Sequence, residues 1–117
     1  MANNRRPVRT IALFSRKPGM SFADFSRYWR ETHAPLAARV PGVTRYVQRH
    51  VLPADGTDAP DNDYNIDGIV ELDYESAEAM EAGWASEAGQ RALADTDNFL
   101  DRHSVVVTED HVIVDDN

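Results

Sequence analysis

The 117-residue sequence contains no cysteine. Disulfides, thiolate nucleophiles and cysteine-based zinc sites are therefore excluded. The chain also lacks any run near the roughly 20 apolar residues that span a bilayer. Residues 1–9 carry charge but no following apolar run, so we expect no signal peptide. These absences predict a cytoplasmic protein without a membrane partner.

The motifs of nucleotide-dependent and serine enzymes are missing as well. The six glycines are scattered, and none forms a Gly-x-Gly-x-x-Gly fingerprint or a P-loop. No Gly-x-Ser-x-Gly elbow is present either. The net charge of -8 would repel phosphates, which argues against nucleic acid as a partner. We therefore expect a protein that uses no cofactor and binds no nucleic acid.

Charge is divided unevenly along the chain. Residues 1–52 hold ten Lys or Arg and two Asp or Glu, whereas residues 53–117 hold two Arg and eighteen Asp or Glu. The simpler interpretation is that the two halves neutralise each other after folding. The alternative is a pair of complementary faces that guide self-association.

Length and apolar content predict one domain over residues 1–117, with a core from about residue 8 to 114. Four β-prone, apolar-rich segments predict strands at 8–15, 43–52, 66–74 and 104–114. In the second of these, strand alternation places Val43 and Val47 on one face and Tyr46 on the other.

Helical periodicity predicts helices in two of the segments between these strands. Ser21 is a good N-cap, and the apolar positions that follow are spaced by three and four residues: Phe22, Phe25, Trp29, His33, Leu36 and Val40. Pro35 should loosen or kink this helix near His33. Ser76 caps a second helix whose apolar face carries Ala77, Met80, Trp84 and Ala88.

The element order is therefore β-α-β-β-α-β, which predicts an α+β, ferredoxin-like fold. Its four-stranded antiparallel sheet would carry the helices on one face. An apolar second face also needs cover. A second copy of the chain would supply it, which predicts a homodimer.

Several motifs together resemble those of the EthD family, within the dimeric α+β barrel superfamily. The most specific is Trp-x-x-x-His-x-Pro-Leu at 29–36. The others are Arg-Lys-Pro-Gly-Met-Ser at 16–21, Pro-Gly-Val-x-x-Tyr at 41–46, Asp-Gly-Ile-Val-Glu-Leu at 67–72 and Asp-Asn-Phe-Leu-Asp at 97–101. The resemblance runs from about Val8 to Ile113.

This resemblance implies a dimeric α+β barrel and a small apolar or aromatic ligand. Similar domains act as dehydratases or cyclases on polyketides. Methylmuconolactone isomerases look like relatives and place a histidine late in the first helix and a tyrosine early in the second strand, where this sequence has His33 and Tyr46. The resemblance implies the fold more strongly than the reaction.

His33 is the leading candidate for a general acid/base, because imidazole titrates near neutral pH. A pocket between helix and sheet would lower its pKa. The alternative is a core or capping histidine. Tyr46 could stabilise a developing enolate, or it could be a half-buried strand aromatic.

Asp67 is a third catalytic candidate, and Glu71, on the same strand, is interpreted as an exposed carboxylate. Aromatic residues are candidates for the walls of a pocket. These predicted substrate-binding residues are Trp29, Trp84, Phe14, Tyr28 and Phe99.

No metal site is predicted. His103 and His111 are eight residues apart and would lie roughly 27 Å apart on one strand. Three functions remain open. The first is a cofactor-independent lyase, cyclase or isomerase for an apolar or aromatic carbonyl compound, and the second is a non-catalytic binding or accessory protein. The third is a structural or regulatory dimer with a filled core.

Overall fold

The computed structural model describes residues 6–116, and its elements follow the predicted order. The strands are β1 (Val8–Arg16), β2 (Val43–His50), β3 (Gly68–Tyr74) and β4 (Leu100–Thr108). The helices are α1 (Phe22–Tyr28), a π-helical turn (Trp29–His33), α2 (Ala34–Ala37), α3 (Ala77–Ala85), α4 (Glu87–Asp95) and a 3₁₀ turn (Thr96–Asn98). Residues 1–5, within the segment for which no signal peptide was expected, lie outside the described range.

The four strands form one antiparallel sheet in the order β2-β3-β1-β4, which is the ferredoxin-like arrangement. The face that carries the helices, here called the inner face, bears Ala12 and Phe14 from β1 and Val70 and Leu72 from β3. These side chains pack with helical and loop aromatics into the core, namely Phe25, Trp29 and Phe99. The opposite side is called the outer face.

The first helical segment begins where its N-cap was predicted. Ser21 Oγ accepts a hydrogen bond from the backbone N–H of Asp24 at 3.0 Å. The predicted irregularity near His33 is the π-helical turn, in which the Ala34 N–H bonds the Trp29 carbonyl five residues back. Because Pro35 has no N–H for an ordinary helical bond, a wider turn before it is favoured.

The second helix predicted after Ser76 is in fact two helices, so its expected continuation to Ala88 is wrong. Ser86 adopts an extended conformation between α3 and α4, and its hydroxyl caps α4 by accepting from the Gly89 N–H. The two helices approach closely there. A Cβ on Gly89 would lie 2.3 Å from the Gly83 carbonyl oxygen, so only glycine fits.

The last strand was predicted at 104–114 but spans Leu100–Thr108. Its pairing with β1 runs from Thr108 opposite Arg9 to Leu100 opposite Arg16. The apolar residues that suggested a longer strand are exposed beyond the sheet: Val112, Ile113 and Val114. Apolar composition alone therefore misplaced this strand by several residues.

The predicted orientation of side chains in the second strand is wrong, because the strand contains a bulge. The register shifts between Val43 and Arg45, so that Val43 pairs with Tyr74 and Arg45 with Asp73. Val43 consequently packs against the core, whereas Val47 lies opposite Glu71 on the outer face. The extra residue in the bulge breaks the two-residue alternation on which the prediction depended.

Basic side chains of the first half pair with acidic ones of the second half. Arg9 Nε lies 2.8 Å from Asp73 Oδ1, and Arg49 lies 3.2 Å from Glu71, which also contacts Arg45. These pairs support neutralisation between the two halves. Glu71 is only 5% exposed, so its interpretation as an exposed carboxylate is wrong; the surrounding arginines cover it.

No helix within residues 6–116 is long and apolar enough to cross a membrane.

Candidate active site

A cavity of about 390 Å³ lies between the inner face of the sheet and the helices. Its walls are mostly apolar and include Ala12, Phe14, Val70, Leu72, Trp29 and Trp84. Three exposed polar residues also line it, Glu81, Gln90 and His103. The cavity therefore offers an apolar interior that solvent can reach, which is the usual form of a small-molecule site.

His33 reaches this cavity from the π-helical turn. The residue is 5% exposed and lines the cavity, and its ring packs 4.8 Å, between ring centroids, from Phe99. Its Nδ1 lies 2.8 Å from Asp95 Oδ2. The turn that accommodates Pro35 thus also holds a buried titratable side chain against the cavity.

The carboxylate of Asp95 is held by two further donors. Tyr28 Oη donates to Asp95 Oδ1 at 2.6 Å, and Asn98 Nδ2 donates to the same oxygen at 3.0 Å. Burial acts to raise the pKa of Asp95, but the hydrogen bonds from Tyr28, Asn98 and His33 outweigh it and hold that pKa below its ordinary value. Asp95 is therefore ionised near neutral pH.

An ionised Asp95 determines the tautomer of His33. Since a carboxylate can only accept, Nδ1 carries the proton and donates it to Asp95. Nε2 then holds the free lone pair, and it has no partner among residues 6–116. Burial lowers the pKa of His33, and the hydrogen bond and charge of Asp95 offset this only in part. His33 is thus a neutral base at neutral pH.

Tyr46 lines the same cavity, and its hydroxyl is positioned by Gln48. Gln48 Nε2 donates to Tyr46 Oη at 2.8 Å and to the Trp29 carbonyl at 3.0 Å. That carbonyl can only accept, so it fixes which end of the amide is the NH₂ group. His50 Nε2, 2.8 Å from Gln48 Oε1, is then the donor of that bond.

With these bonds in place, the hydroxyl proton of Tyr46 remains available for donation to a ligand. Its oxygen accepts from Gln48, and no acceptor for its O–H is found within the described part of the chain. Burial raises the pKa of Tyr46, while Gln48 and Trp29 act in the opposite direction. The phenol therefore stays protonated at neutral pH and can donate a hydrogen bond.

The structure brings together five of the eight residues predicted for the site: His33, Tyr46, Trp29, Trp84 and Phe14 line the cavity. Tyr28 and Phe99 do not line it. They contact Asp95 and the ring of His33, respectively, and so support the histidine.

Asp67 does not line the cavity either. Its carboxylate accepts from the backbone N–H of Arg16 at 2.9 Å and lies 3.5 Å from the Arg16 side chain. It is 3% exposed and joins the end of β1 to the start of β3. These contacts give Asp67 a structural role in the connection between the two central strands.

Sequence reasoning missed Asp95. It is the last residue of α4, in the acidic stretch at residues 94–97, and it lies 62 positions from His33 in the chain. The only local signal was the Asn98–Phe99 pair that follows it, of which Asn98 holds Asp95 and Phe99 packs on His33. Nothing in the sequence placed that stretch opposite the first helix.

The described part of the chain has no group of three histidine or acidic side chains placed to hold a metal ion. His50 stacks on Trp29 with ring centroids 4.4 Å apart. Its Nδ1 lies 2.7 Å from Ser26 Oγ. It belongs to the hydrogen-bond chain that positions Gln48.

Comparison with known proteins gives one family match. The model of the EthD domain matches residues 17–103, well over half of the chain. No match was found among curated protein sequences.

Solved structures with the same fold are numerous. An EthD family protein from Bacillus halodurans C-125 superposes with a TM-score of 0.70 at 19% identity, over 90% of this chain and 99% of that one. A dimeric ferredoxin-like protein of unknown function from Thermobifida fusca YX gives 0.65 at 21% identity, over 87% and 89%. SnoaB, a cofactor-independent oxygenase from Streptomyces nogalater, gives 0.60 at 14% identity, over 93% and 99%.

Proposed function

The chain belongs to the EthD domain family, and from that premise and the geometry of the cavity we propose that it is a cofactor-independent lyase, cyclase or isomerase. Its substrate would be a small apolar or aromatic carbonyl compound, with His33 as the general acid/base. The observation that carries this proposal is a buried, neutral histidine that is oriented by a carboxylate and presented to an apolar cavity.

The reaction begins with proton transfer from carbon. Nε2 of His33 removes a proton from the carbon next to the substrate carbonyl, and the carbonyl oxygen becomes an enolate oxygen. Asp95 stabilises the imidazolium that forms, and Tyr46 donates a hydrogen bond to the enolate. Return of the proton to another carbon completes an isomerisation, and its transfer to a leaving oxygen, as the bond from that oxygen to carbon breaks, completes an elimination. In a cyclisation the enolate carbon instead attacks a second carbonyl carbon of the substrate, and the oxygen of that carbonyl takes the proton from His33.

This chemistry suits the surroundings of His33. An apolar cavity excludes much of the water that would compete for the enolate, and it strengthens the hydrogen bond from Tyr46. SnoaB has the same fold and is a cofactor-independent oxygenase, which supports a catalytic role without a cofactor for this scaffold. Catabolism or polyketide metabolism would supply substrates of this class.

Hydrogen–deuterium exchange tests the proton transfer before the physiological reaction is known. Aromatic ketones, quinones and lactones are incubated with the protein in D₂O and recovered for mass analysis. We expect the wild type to speed deuterium uptake at the enolisable carbon, and His33→Gln to reduce that rate by about 10²–10⁴-fold. His111→Gln, at an exposed position near the chain end, is the matched control and should exchange like wild type.

The outcomes separate the candidate functions. Equal exchange in wild type and His33→Gln would exclude His33 as the base. Saturable binding, seen as thermal stabilisation, without exchange or conversion would favour a non-catalytic binding or accessory protein. No stabilisation by any compound would favour a structural dimer.

We also propose that a second copy of the chain covers the outer face of the sheet. That face presents partly exposed apolar side chains, Ile11, Leu13, Val47, Ile69 and Val106, beside the ion pairs of Glu71. The similar protein from Thermobifida fusca is dimeric. A two-fold pair would bury these apolar side chains and match basic with acidic groups.

A further inference from the structure

Trp29 has a feature that the proposed mechanism does not use. Its side chain is fully buried, yet its indole Nε1–H has no hydrogen-bond partner among residues 6–116. Buried donors in folded proteins are nearly always paired, so an unpaired one calls for an explanation. Trp84, in the same cavity, follows the rule, because its Nε1–H donates to Tyr74 Oη at 2.7 Å.

The unpaired N–H lies beside the free hydroxyl of Tyr46. Gln48 joins the two residues by bonding both the Trp29 carbonyl and Tyr46 Oη. The indole N–H is directed toward Tyr46 Oη and acts to lower the pKa of that hydroxyl, although its geometry falls short of a hydrogen bond to it. Both residues line the cavity with His33. The Tyr46 hydroxyl proton and the indole N–H of Trp29 thus lie together on one wall of the cavity, and neither meets hydrogen-bond geometry with an acceptor among residues 6–116.

The position of the Trp29 ring is fixed from several sides. Its benzo edge lies against Gly68, where an added Cβ would fall 2.6 Å from Cζ3, so this close approach requires glycine. Phe14, Phe25 and His50 pack on it, with ring centroids between 4.4 and 5.6 Å away. A donor held this rigidly needs no reorganisation when charge develops on a ligand.

We propose that Trp29 Nε1–H and Tyr46 Oη–H together bind one ligand oxygen that carries negative charge, such as an enolate or phenolate oxygen. This inference rests on the proposed function for the place of that oxygen, opposite the base His33. It narrows the ligand to aromatic or apolar carbonyl compounds that enolise readily, and to phenols. A neutral hydrocarbon would leave both donors unpaired in the cavity.

Nitrophenol is the probe, because its absorbance distinguishes the phenol from the phenolate. Two donors should lower the pKa of bound nitrophenol relative to free nitrophenol. Loss of one donor, in Trp29→Phe or in Tyr46→Phe, should raise the bound pKa by about one unit, or tenfold in the phenolate-to-phenol ratio. Trp84→Phe is the matched control, since it removes a similar ring whose N–H is already bonded, and it should keep the lowered pKa.

Nuclear magnetic resonance gives a second readout that needs no substitution at Trp29. The chain has two tryptophans, so the indole region of a ¹H–¹⁵N spectrum has two signals, which Trp84→Phe assigns. Nitrophenolate should move the Trp29 indole proton downfield in wild type and in His33→Gln alike. A Trp29 signal that stays in place while nitrophenol binds would overturn the inference, as would an unchanged bound pKa in Trp29→Phe or no binding at all.

The two proposals fail separately. If nitrophenolate shifts the Trp29 signal but wild type exchanges no carbon-bound proton, the two-donor site for a ligand oxygen is supported and the catalytic role of His33 is wrong. If exchange depends on His33 but neither Trp29 nor Tyr46 responds to nitrophenolate, the role of His33 as general base is supported and the two-donor site is wrong.

Discussion

At the scale of single residues, the site depends on how charge is distributed between His33 and Asp95. Three donors keep Asp95 ionised, and burial keeps His33 neutral, so the pair holds one proton on Nδ1 and one lone pair on Nε2. Stability should fall as pH falls from about 6.5, the value of an unperturbed histidine, through the lower folded pKa of His33. In that interval the unfolded chain binds more protons than the folded one.

Asp95→Asn tests this pairing directly. Because the carboxylate raises the pKa of His33 against the effect of burial, its loss should lower that pKa further. Proton exchange at the substrate carbon should also slow, since an amide cannot stabilise the imidazolium. NMR titration of the His33 ring measures the pKa, and Asp97→Asn, at an exposed neighbour, is the control. A His33 pKa that stays unchanged or rises in Asp95→Asn would show that the carboxylate does not govern the ring.

At the scale of elements, two local irregularities build the cavity. The π-helical turn before Pro35 brings Trp29 and His33 to the buried side of one helical segment. The break at Ser86 separates α3 from α4, and the last residue of α4, Asp95, lies against His33. The Pro35 effect could be anticipated from its missing N–H. The break could not, because a serine within an otherwise helical, alanine-rich pattern is also compatible with a continuous helix.

Ser86→Ala should destabilise the protein by about 1 kcal/mol, the usual cost of losing an N-cap. Its hydroxyl accepts from the Gly89 N–H at 3.1 Å, and without it that donor at the start of α4 loses its partner. Chemical denaturation measures the change in the free energy of unfolding. Ser86→Asn, which can cap in the same way, should recover most of the loss. Equal loss in both variants would argue against capping as the role of Ser86.

At the scale of the whole molecule, the sheet has one covered face and one free face. The outer face is unusual in that its most buried charged group, Glu71, is enclosed by Arg9, Arg45 and Arg49 of the same chain. A partner would therefore meet apolar side chains around an already compensated charge. This arrangement avoids the large cost of desolvating an unpaired carboxylate on association.

Neighbouring valines on β4 test the proposed dimer. Val106 pairs with Ile11 on the outer face, whereas Val107 pairs with Thr10 on the inner face. Val106→Glu would place a charge in the proposed interface, so we expect a monomer at micromolar concentration. Val107→Glu should remain dimeric. Sedimentation equilibrium measures both; a monomeric wild type, or a dimeric Val106→Glu, would contradict an interface on the outer face.

The sequence by itself determined the order of strands and helices, the family and the shared buried face of Phe25, Trp29 and His33, because the periods of helices and strands are local. It also led to five of the residues that line the cavity. Only the tertiary structure decided that Asp95 lies against His33, that Val43 faces the core and that Glu71 is buried. The first depends on contact between segments 62 positions apart, and the others on a bulge and on arginines from neighbouring strands. Such contacts arise from packing between elements and produce no periodic pattern in the sequence.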